Sequence, residues 1–172
     1  MDRDKQARAV ALGVIWRGDE LLVAAGYDSH KRERFYGPLG GTIEFGESGA
    51  RAVEREYREE LGEDIRVTRY LGTLENIFTY EGEPGHELVR IYEADALKPG
   101  FYEEKERRVA DVEGLPPVIW KSFADFSADR LYPHGLHELL SASRSDRRLG
   151  PVMERIRGEG AELIKRLAQT PD

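Results

Sequence analysis

The chain has 172 residues, no cysteine and a formal net charge of −7, a size that suits one domain with its own core. An acidic chain of this kind is not expected to bind DNA or anionic membranes through bulk charge, and a chain without cysteine forms no disulfides and uses no thiolate chemistry. Hydrophobic residues make up 40% and charged residues 34% of the sequence, which is typical of a folded globular protein rather than a disordered one.

The N-terminal sequence MDRDKQARAV is charged and lacks the apolar segment of a signal peptide. No apolar run in the chain approaches the ~18 residues of a membrane span. We therefore expect a cytoplasmic protein with no membrane partner.

The first part of the chain predicts strands separated by turn-rich segments. Residues 10–16 and 21–25 are apolar and predict two strands, joined by a tight turn in the sequence RGDE. Residues 26–41 are polar, basic and rich in turn residues, which predicts a loop. Residues 42–45 follow as a short extended piece.

A helix is predicted next. Ser48 can cap its N-terminus and Gly62 can end it, so that the helix runs to about Leu61. Four apolar residues share one stripe of this helix and should face the core. They are Ala50, Val53, Tyr57 and Leu61.

The second half of the chain predicts more strands and a later helix. Its predicted strands cover residues 65–71, 73–80, 87–94 and 118–120. The sequence EGEPGH predicts a turn between the second and third of these, residues 98–117 predict a loop, and a helix should follow Pro133. Strands that flank helices in this order predict a mixed α/β domain.

Residues 151–169 form a further helix candidate with one apolar side. We therefore divide the chain into a domain over residues 1–145 and a C-terminal helical extension over residues 146–172. The sequence leaves open whether this extension packs on the same domain or forms a dimer contact.

The stretch EREYREELGE, residues 54–63, carries five carboxylates in ten residues. The i,i+4 pairs Glu54–Arg58 and Arg55–Glu59 offset part of the repulsion. Glu56 and Glu60 have no basic residue three or four positions away, so neither is expected to have a basic partner on this helix. Four of the carboxylates project into one sector at ~100° per residue. These are Glu56, Glu59, Glu60 and Glu63. A solvated face and a site for a hard divalent ion are both compatible with this pattern.

The spacing of fixed residues around this helix resembles the Nudix box, G-x5-E-x7-R-E-U-x-E-E-x-G-U, in which U is a bulky aliphatic residue. All fixed glycine, glutamate and arginine positions of the box are present between Gly41 and Glu63, namely Gly41, Glu47, Arg55, Glu56, Glu59, Glu60 and Gly62. Tyr57 and Glu63 depart from the pattern at two U positions. The resemblance to this MutT-like superfamily extends over about residues 9–140 and leaves the final helix outside it.

The resemblance implies an α/β/α sandwich around a mixed β-sheet, in which the box forms a loop–helix–loop, with the C-terminal helix as an addition. It also implies a pyrophosphohydrolase that uses one to three Mg²⁺ or Mn²⁺ ions. The substrate would be a small-molecule nucleoside diphosphate linked to another moiety, such as a nucleotide sugar, ADP-ribose, a dinucleoside polyphosphate or a nucleoside triphosphate. Water would attack one phosphorus of the phosphoanhydride.

The resemblance further assigns roles to residues of the box. Glu56, Glu59 and Glu60 would bind metal together with the backbone carbonyl of Gly41. Glu47 and Arg55 would form a supporting pair that orients the loop and the helix. The general base would be Glu56 or, second in rank, Glu87, for which a solvated strand end is the structural alternative.

Substrate contacts are predicted in the loop ahead of the box. Lys31, Arg32 and Arg34 could hold phosphate and Tyr36 could stack on a base, although a solvated loop would have the same composition. Phe78 and Tyr80 share one strand face and could line a base pocket, although we expect them to pack in the core. We also expect Trp120 to pack in the core and His86 to be a turn residue.

Two other functions compete with hydrolysis on the same fold. A nucleotide-binding sensor would commonly lack box glutamates and carry a DNA-binding appendage, whereas this chain keeps the glutamates. An isoprenoid diphosphate isomerase would be expected to use a cysteine, and this chain has none. A homodimer is compatible with the family.

Overall fold

The computed structural model describes residues 6–109, 116–127 and 130–145. The strands in these ranges are β1 (Arg8–Val14), β2 (Trp16–Arg17), β3 (Glu20–Asp28), β4 (Glu33–Gly37), β5 (Leu39–Thr42), β6 (Ile65–Tyr80), β7 (Glu83–Ala96), β8 (Glu106–Arg107) and β9 (Val118–Ser122). The helices are α1 (Gly49–Leu61) and α2 (Leu136–Ser145), and short 3₁₀ turns cover Pro99–Tyr102 and Phe123–Ser127. No helix in these ranges is long and apolar enough to cross a membrane.

The strands form two sheets. The first has the order β5-β1-β7-β6, in which β1 and β7 run parallel and the other pairs run antiparallel. The second has the order β2-β3-β9-β8, with β4 paired to β3. The predicted mixed α/β fold is confirmed.

Two apolar clusters lie on opposite faces of the first sheet. Strand β7 contributes Ile91 to one cluster and Tyr92 to the other, because successive side chains of a strand point to opposite faces. Helix α1 covers the Tyr92 side with Val53 and Tyr57, and α2 covers the Ile91 side. The predicted α/β/α sandwich is therefore present.

The predicted ends of helix α1 are confirmed. The Ser48 hydroxyl accepts a hydrogen bond from the backbone N–H of Arg51 (3.3 Å). Gly62 adopts a left-handed conformation with φ 66°, and its N–H donates to Arg58. Burial of Val53 and Tyr57 stabilises the packed helix by about 1.5–3 kcal/mol for each large side chain.

The prediction of a loop over residues 26–41 is wrong. Strand β3 continues to Asp28, and β4 returns beside it with Phe35 opposite Gly26. The Asp28 carboxylate accepts from the backbone N–H of Lys31 (2.9 Å), which closes a turn between the two strands. The predicted turn residues therefore do form a turn, but the turn is short. The polar residues on either side of it belong to the paired strands. The extended piece predicted over residues 42–45 also shifts, because β5 ends at Thr42.

The strands predicted over residues 65–71 and 73–80 are one strand, β6. Gly72 lies inside it, at a shift in the register with β7, so this glycine marks a bulge rather than a break. The turn to β7 is confined to Glu81 (φ 49°) and Gly82 (φ 84°), as in a two-residue hairpin. His86 consequently lies in a strand, where its Nε2 is 2.9 Å from a carboxylate oxygen of Glu75, and its prediction as a turn residue is wrong.

The segment 98–117 is not wholly loop, because the first 3₁₀ turn and β8 lie within it. The helix after Pro133 is present as α2. The helix candidate over residues 151–169 lies outside the described residues, as does the whole predicted extension 146–172.

Candidate active site

Arg55 connects helix α1 to the loop before it. Its Nε and Nη2 donate to the two carboxylate oxygens of Glu47 (3.1 and 3.2 Å), and Nη2 also donates to the Thr42 carbonyl (3.0 Å). These bonds hold the pKa of the Glu47 carboxyl below its ordinary value and raise that of Arg55. The contact expected between Glu47 and Arg55 is present, and it fixes the loop against the helix.

The other edge of the Arg55 guanidinium reaches the carboxylate cluster, which consists of Glu56, Glu59 and Glu60. Nη1 donates to Glu56 (2.7 Å) and to Glu59 (3.0 Å). Two of the three carboxylates assigned to metal are therefore partly neutralised by one arginine. The expectation that Glu56 has no basic partner on its own helix is wrong, because the guanidinium of the adjacent Arg55 reaches back to it.

Glu60 is the carboxylate that Arg55 does not reach. Its Oε2 is buried and has no hydrogen-bond partner among the described residues. Burial raises the pKa of this carboxyl to about 7, with help from the negative charges of Glu56 and Glu59. A buried, unpartnered carboxylate oxygen beside two like charges is costly unless a cation neutralises it.

Gly41 lies against the same cluster. A Cβ atom added at Gly41 would overlap the Glu56 carboxylate, so only glycine allows this close approach. As placed, the side chains of the described residues form no group of three or more His, Cys, Asp or Glu that could hold a metal ion, and Glu56 and Glu59 turn to Arg55 instead. The donors nevertheless fit a hard divalent ion, because all are oxygens and one of them, Oε2 of Glu60, has no hydrogen-bond partner in the described part of the chain.

A cavity of about 410 Å³ opens beside Gly41. Gly40, Gly41 and Thr42 form part of its wall, so the cavity meets the carboxylate cluster across a single strand. Its volume is within the range of small-molecule sites.

Of the residues predicted to bind substrate, Lys31 lines this cavity. Its Nζ is 3.4 Å from the Asp28 carboxylate and also donates to the Thr79 carbonyl. Arg32 and Arg34 are exposed and lie outside the cavity lining. Tyr36 lies outside it too, packed against Phe126 with ring centroids 6.0 Å apart.

Glu87 also lines the cavity. Its side chain is only 14% exposed and pairs with Arg8 on the neighbouring strand. It therefore lies inside a strand at a partly buried position, and the alternative of a solvated strand end does not apply.

Several cavity residues were not predicted from the sequence. They are Arg8, Asn76, Arg130 and Tyr132. Phe78 and Tyr80 line the cavity rather than packing in the core, whereas Trp120 is buried in the core as expected. The available signal was Asn76 itself, a polar residue that alternates with Leu74 and Phe78 on the inward face of β6.

Glu63 does not join the carboxylate cluster. It pairs with Arg107 (2.9 Å) and with Lys98 (3.3 Å). Glu63, one of the two residues that depart from the box pattern, thus ties the end of α1 to the segment that follows β7.

Comparison with known proteins gives a consistent result. A family model described as the NUDIX domain matches residues 5–138. The NAD-capped RNA hydrolase NudC of Vibrio atlanticus is 30% identical over 105 residues, which cover 61% of this chain and 38% of that protein. The chain therefore spans under two fifths of the length of this curated relative.

Solved structures show the same fold. A MutT NUDIX hydrolase from Burkholderia pseudomallei is 25% identical with a TM-score of 0.55, over 80% of this chain and 98% of that one. The E. coli ORF135 protein is 20% identical with a TM-score of 0.62, over 87% of this chain and 99% of that one.

Proposed function

The chain belongs to the NUDIX domain family, whose model spans residues 5–138, and on this premise we propose that it is a metal-dependent pyrophosphohydrolase. Its substrate is a nucleoside diphosphate linked to another moiety, and the bond that breaks is the phosphoanhydride. Water is the nucleophile.

One observation carries the proposal. The cavity and the carboxylate cluster meet at Gly41, which lines the first and approaches Glu56 of the second. A ligand with one end in the cavity would therefore present its next group to the carboxylates. A nucleotide whose diphosphate follows the nucleoside has this shape.

Glu56, Glu59 and Glu60 would hold one to three Mg²⁺ or Mn²⁺ ions together with the Gly41 carbonyl. When bound, such ions supply charge neutralisation at the phosphate oxygens and a more acidic water. The buried Oε2 of Glu60 supports this assignment, because it has no partner within the described residues. Arg55 and Glu47 keep the loop and helix in register and so position these oxygens.

Glu56 is our first candidate for the general base, and Glu87 is the second. Glu56 lies at the junction between the cavity and the cluster, where an attacking water would have to be placed. Glu87 is held by Arg8 in the cavity. Alanine variants compared across pH would separate them, since a rate that does not fall in one variant excludes that residue.

The substrate classes remain those with a diphosphate between two groups, together with nucleoside triphosphates. The relative from Vibrio atlanticus is named for NAD-capped RNA, and a solved structure with a TM-score of 0.55 is titled as an ADP-ribose pyrophosphatase. The first of these names supports a nucleotide joined through its diphosphate to a further group. The likeness to the second, at 17% identity, concerns the fold alone.

The test is a hydrolysis screen over nucleotide sugars, ADP-ribose, dinucleoside polyphosphates, capped RNA and nucleoside triphosphates, with Mg²⁺ and with Mn²⁺. We expect turnover of at least one class, its loss on exhaustive chelation, and its loss in Glu60→Gln. Activity that persists after chelation would refute metal dependence. Tight binding without turnover of any class would instead favour a nucleotide-binding sensor.

A further inference from the structure

We propose that the cavity binds the nucleobase of the substrate and that the Asn76 amide selects bases carrying an exocyclic amino group. This inference rests on the proposed function, because it assigns the nucleoside end of that substrate. It predicts adenine or cytosine in preference to uracil.

The cavity wall that carries Asn76 is a row of polar residues across three strands. In the first sheet, Arg8 of β1 lies opposite Glu87 of β7, and Glu87 lies opposite Asn76 of β6. All three line the cavity. Residues paired in this way share one face of a sheet, so the row runs straight across the cavity floor.

Apolar side chains lie on both sides of this polar row. Towards α2, Val10 and Val89 are paired across the sheet and line the cavity. Towards the hairpin turn, the Phe78 ring lies over Gly85, where an added Cβ would overlap it. The floor therefore offers one polar line within an apolar surface, which suits a flat heterocycle with a polar edge.

Aromatic rings line the cavity both from the floor strand β6 and from two other segments, β4 and residues 130–133. The Phe35 ring meets Tyr80 and Tyr132 edge to face, with ring centroids 5.9 and 5.5 Å away. Phe35, Phe78, Tyr80 and Tyr132 all line the cavity. Aromatic side chains contribute about 1–3 kcal/mol per stacked base in nucleic-acid sites.

The charges in the cavity are already paired, which argues for a neutral ligand group. Arg8 pairs with Glu87, Lys31 with Asp28 at 3.4 Å, and Arg130 with Glu33 at 2.7 Å. A phosphate would have to displace a carboxylate from one of these cations. A neutral base can lie beside them without breaking a pair.

Asn76 also lines the cavity, and its carbonyl oxygen has no hydrogen-bond partner among the described residues. The second carboxylate oxygen of Asp28 lacks a hydrogen bond too, but it lies 3.4 Å from the Lys31 ammonium. Asn76 is 6% exposed, and its Oδ1 is buried with no hydrogen bond to any described residue. A buried acceptor without a partner costs about 1–3 kcal/mol, which a donor on the ligand would recover.

The polar groups on the cavity floor indicate which hydrogen-bond donor the ligand should carry. Asn76 and Glu87 are paired across β6 and β7, so both side chains lie on the same face of the floor. Because Oδ1 of Asn76 is an acceptor, an exocyclic amino group would satisfy it better than a carbonyl would. The amide of Asn76 also carries an N–H₂ that can donate to the ring nitrogen next to the amino group. Adenine and cytosine present this pair of groups on the edge away from the ribose, guanine presents it only on the edge beside its ribose, and uracil lacks the amino group. We therefore expect guanine to be disfavoured together with uracil.

The test uses ADP-, CDP-, GDP- and UDP-glucose, which share the sugar and the diphosphate and differ only in the base. We expect kcat/KM for the ADP or CDP compound to exceed that for UDP-glucose by at least tenfold, since a good bidentate contact contributes about 1–3 kcal/mol of discrimination. In Asn76→Leu this ratio should fall below threefold through loss of the preferred reaction. Glu75→Gln, on the opposite face of the same strand, should leave the ratio unchanged.

A binding measurement separates this inference from the proposed function. Calorimetric titration of the chelated protein with AMP, CMP and UMP should show a preference for AMP or CMP that Asn76→Leu removes. If that preference appears without hydrolysis of any substrate, the proposed function fails and the inference stands. If hydrolysis occurs with equal kcat/KM for all four bases, or if both Asn76→Leu and the smaller polar variant Asn76→Ser keep the wild-type ratio, the inference is wrong.

Asn76→Ser also covers the case in which the leucine variant does not fold. It removes the amide while leaving a polar group of smaller volume. Urea unfolding of both variants would establish that the folded state is being measured.

Discussion

The carboxylate cluster and the cavity beside it are assembled in different ways. The cluster comes from one continuous stretch, residues 41–63, in which a single helix sets the spacing of every carboxylate. The cavity is lined from β1, the β3–β4 hairpin, β5, β6, β7 and residues 130–133. A local pattern therefore determines the first region, whereas strand register determines the second, and the two should respond differently to substitution.

The largest expected effect is at Glu60. Glu60→Gln should lower kcat by about 10³-fold, because a metal-bound charge contributes several kcal/mol to the transition state and each 1.36 kcal/mol is tenfold in rate. In chelator, the same variant should unfold at a higher urea concentration than the wild type, because it removes a buried carboxylate that has no hydrogen-bond partner in the described part of the chain. Steady-state kinetics and urea unfolding measure the two effects.

Addition of Mg²⁺ is the control for the prediction that Glu60→Gln is less active but more stable than the wild type. It should raise the unfolding midpoint of the wild type and have less effect on Glu60→Gln. Glu138→Gln, an exposed change of the same charge on α2, should keep near wild-type activity. A variant that loses activity and is also less stable in chelator would contradict the assignment of Glu60 as an unneutralised metal ligand.

The next effect is expected at Arg55, which we propose positions the carboxylate cluster. Arg55→Lys should weaken the apparent metal affinity by about 10–100-fold, as expected for a residue that orients metal ligands. Lysine keeps the charge but cannot reproduce the fork that reaches Glu47, Glu56 and Glu59 together. Titration of activity with Mg²⁺, at saturating substrate, measures this shift.

Arg51 offers a matched comparison on the same helix. Arg51→Lys changes an exposed arginine, and its Mg²⁺ titration should stay within twofold of the wild type. If Arg55→Lys gave an unchanged metal requirement and only a lower stability, Arg55 would be a structural residue without a positioning role.

A smaller effect is expected at the rim of the cavity, where Asp28 holds the β3–β4 turn. The backbone hydrogen bond from Lys31 lowers the pKa of Asp28. Its charged form therefore stabilises the folded state at pH values above its unfolded pKa of about 3.9, and this contribution is lost as pH falls through the folded pKa. The stability difference between the wild type and Asp28→Asn should stay constant from about pH 8 to pH 5 and shrink below about pH 4.

Urea unfolding at several pH values measures this difference. Asparagine retains the oxygen that accepts from Lys31 and removes only the charge, so the fold of the turn is preserved in the comparison. A difference that stays constant down to pH 3 would show that the Asp28 charge does not support the turn.

The contrast between the two regions also explains what the sequence could predict. Helix α1, its caps and the spacing of Glu56, Glu59 and Glu60 were predictable because they depend on neighbours within one or two turns. Turn residues within the segment 26–41 were predictable too, but the length of the strands that flank the turn was not, because pairing with a distant partner decides it. Gly72 separates the two predicted strands for a related reason, since only the register with β7 shows it to be a bulge.

The lining of the cavity could not be predicted from local sequence patterns, because it depends on which strands pair. Arg8, Glu87 and Asn76 are far apart in sequence and become one row only through the parallel pairing of β1 with β7 and the hairpin of β6 with β7. Phe78 and Tyr80 show most clearly what a sequence pattern cannot predict. Their alternation correctly placed them on one strand face, but which space that face borders depends on the position of Phe35 and Tyr132.

The smallest expected effects distinguish the basic residues of the β3–β4 hairpin. Lys31→Ala should raise KM several-fold, because Lys31 lines the cavity beside Asp28 and Thr79. Arg34→Ala should change KM by less than twofold, because Arg34 is exposed on the other face of β4 from Phe35 and lies outside the cavity lining. Both changes remove one positive charge from the same hairpin, so any long-range attraction of an anionic substrate is lost equally in the two variants. A KM that rises equally in both would show that the hairpin acts through its net charge, and a larger rise for Arg34→Ala would place the substrate on the outer face of the hairpin.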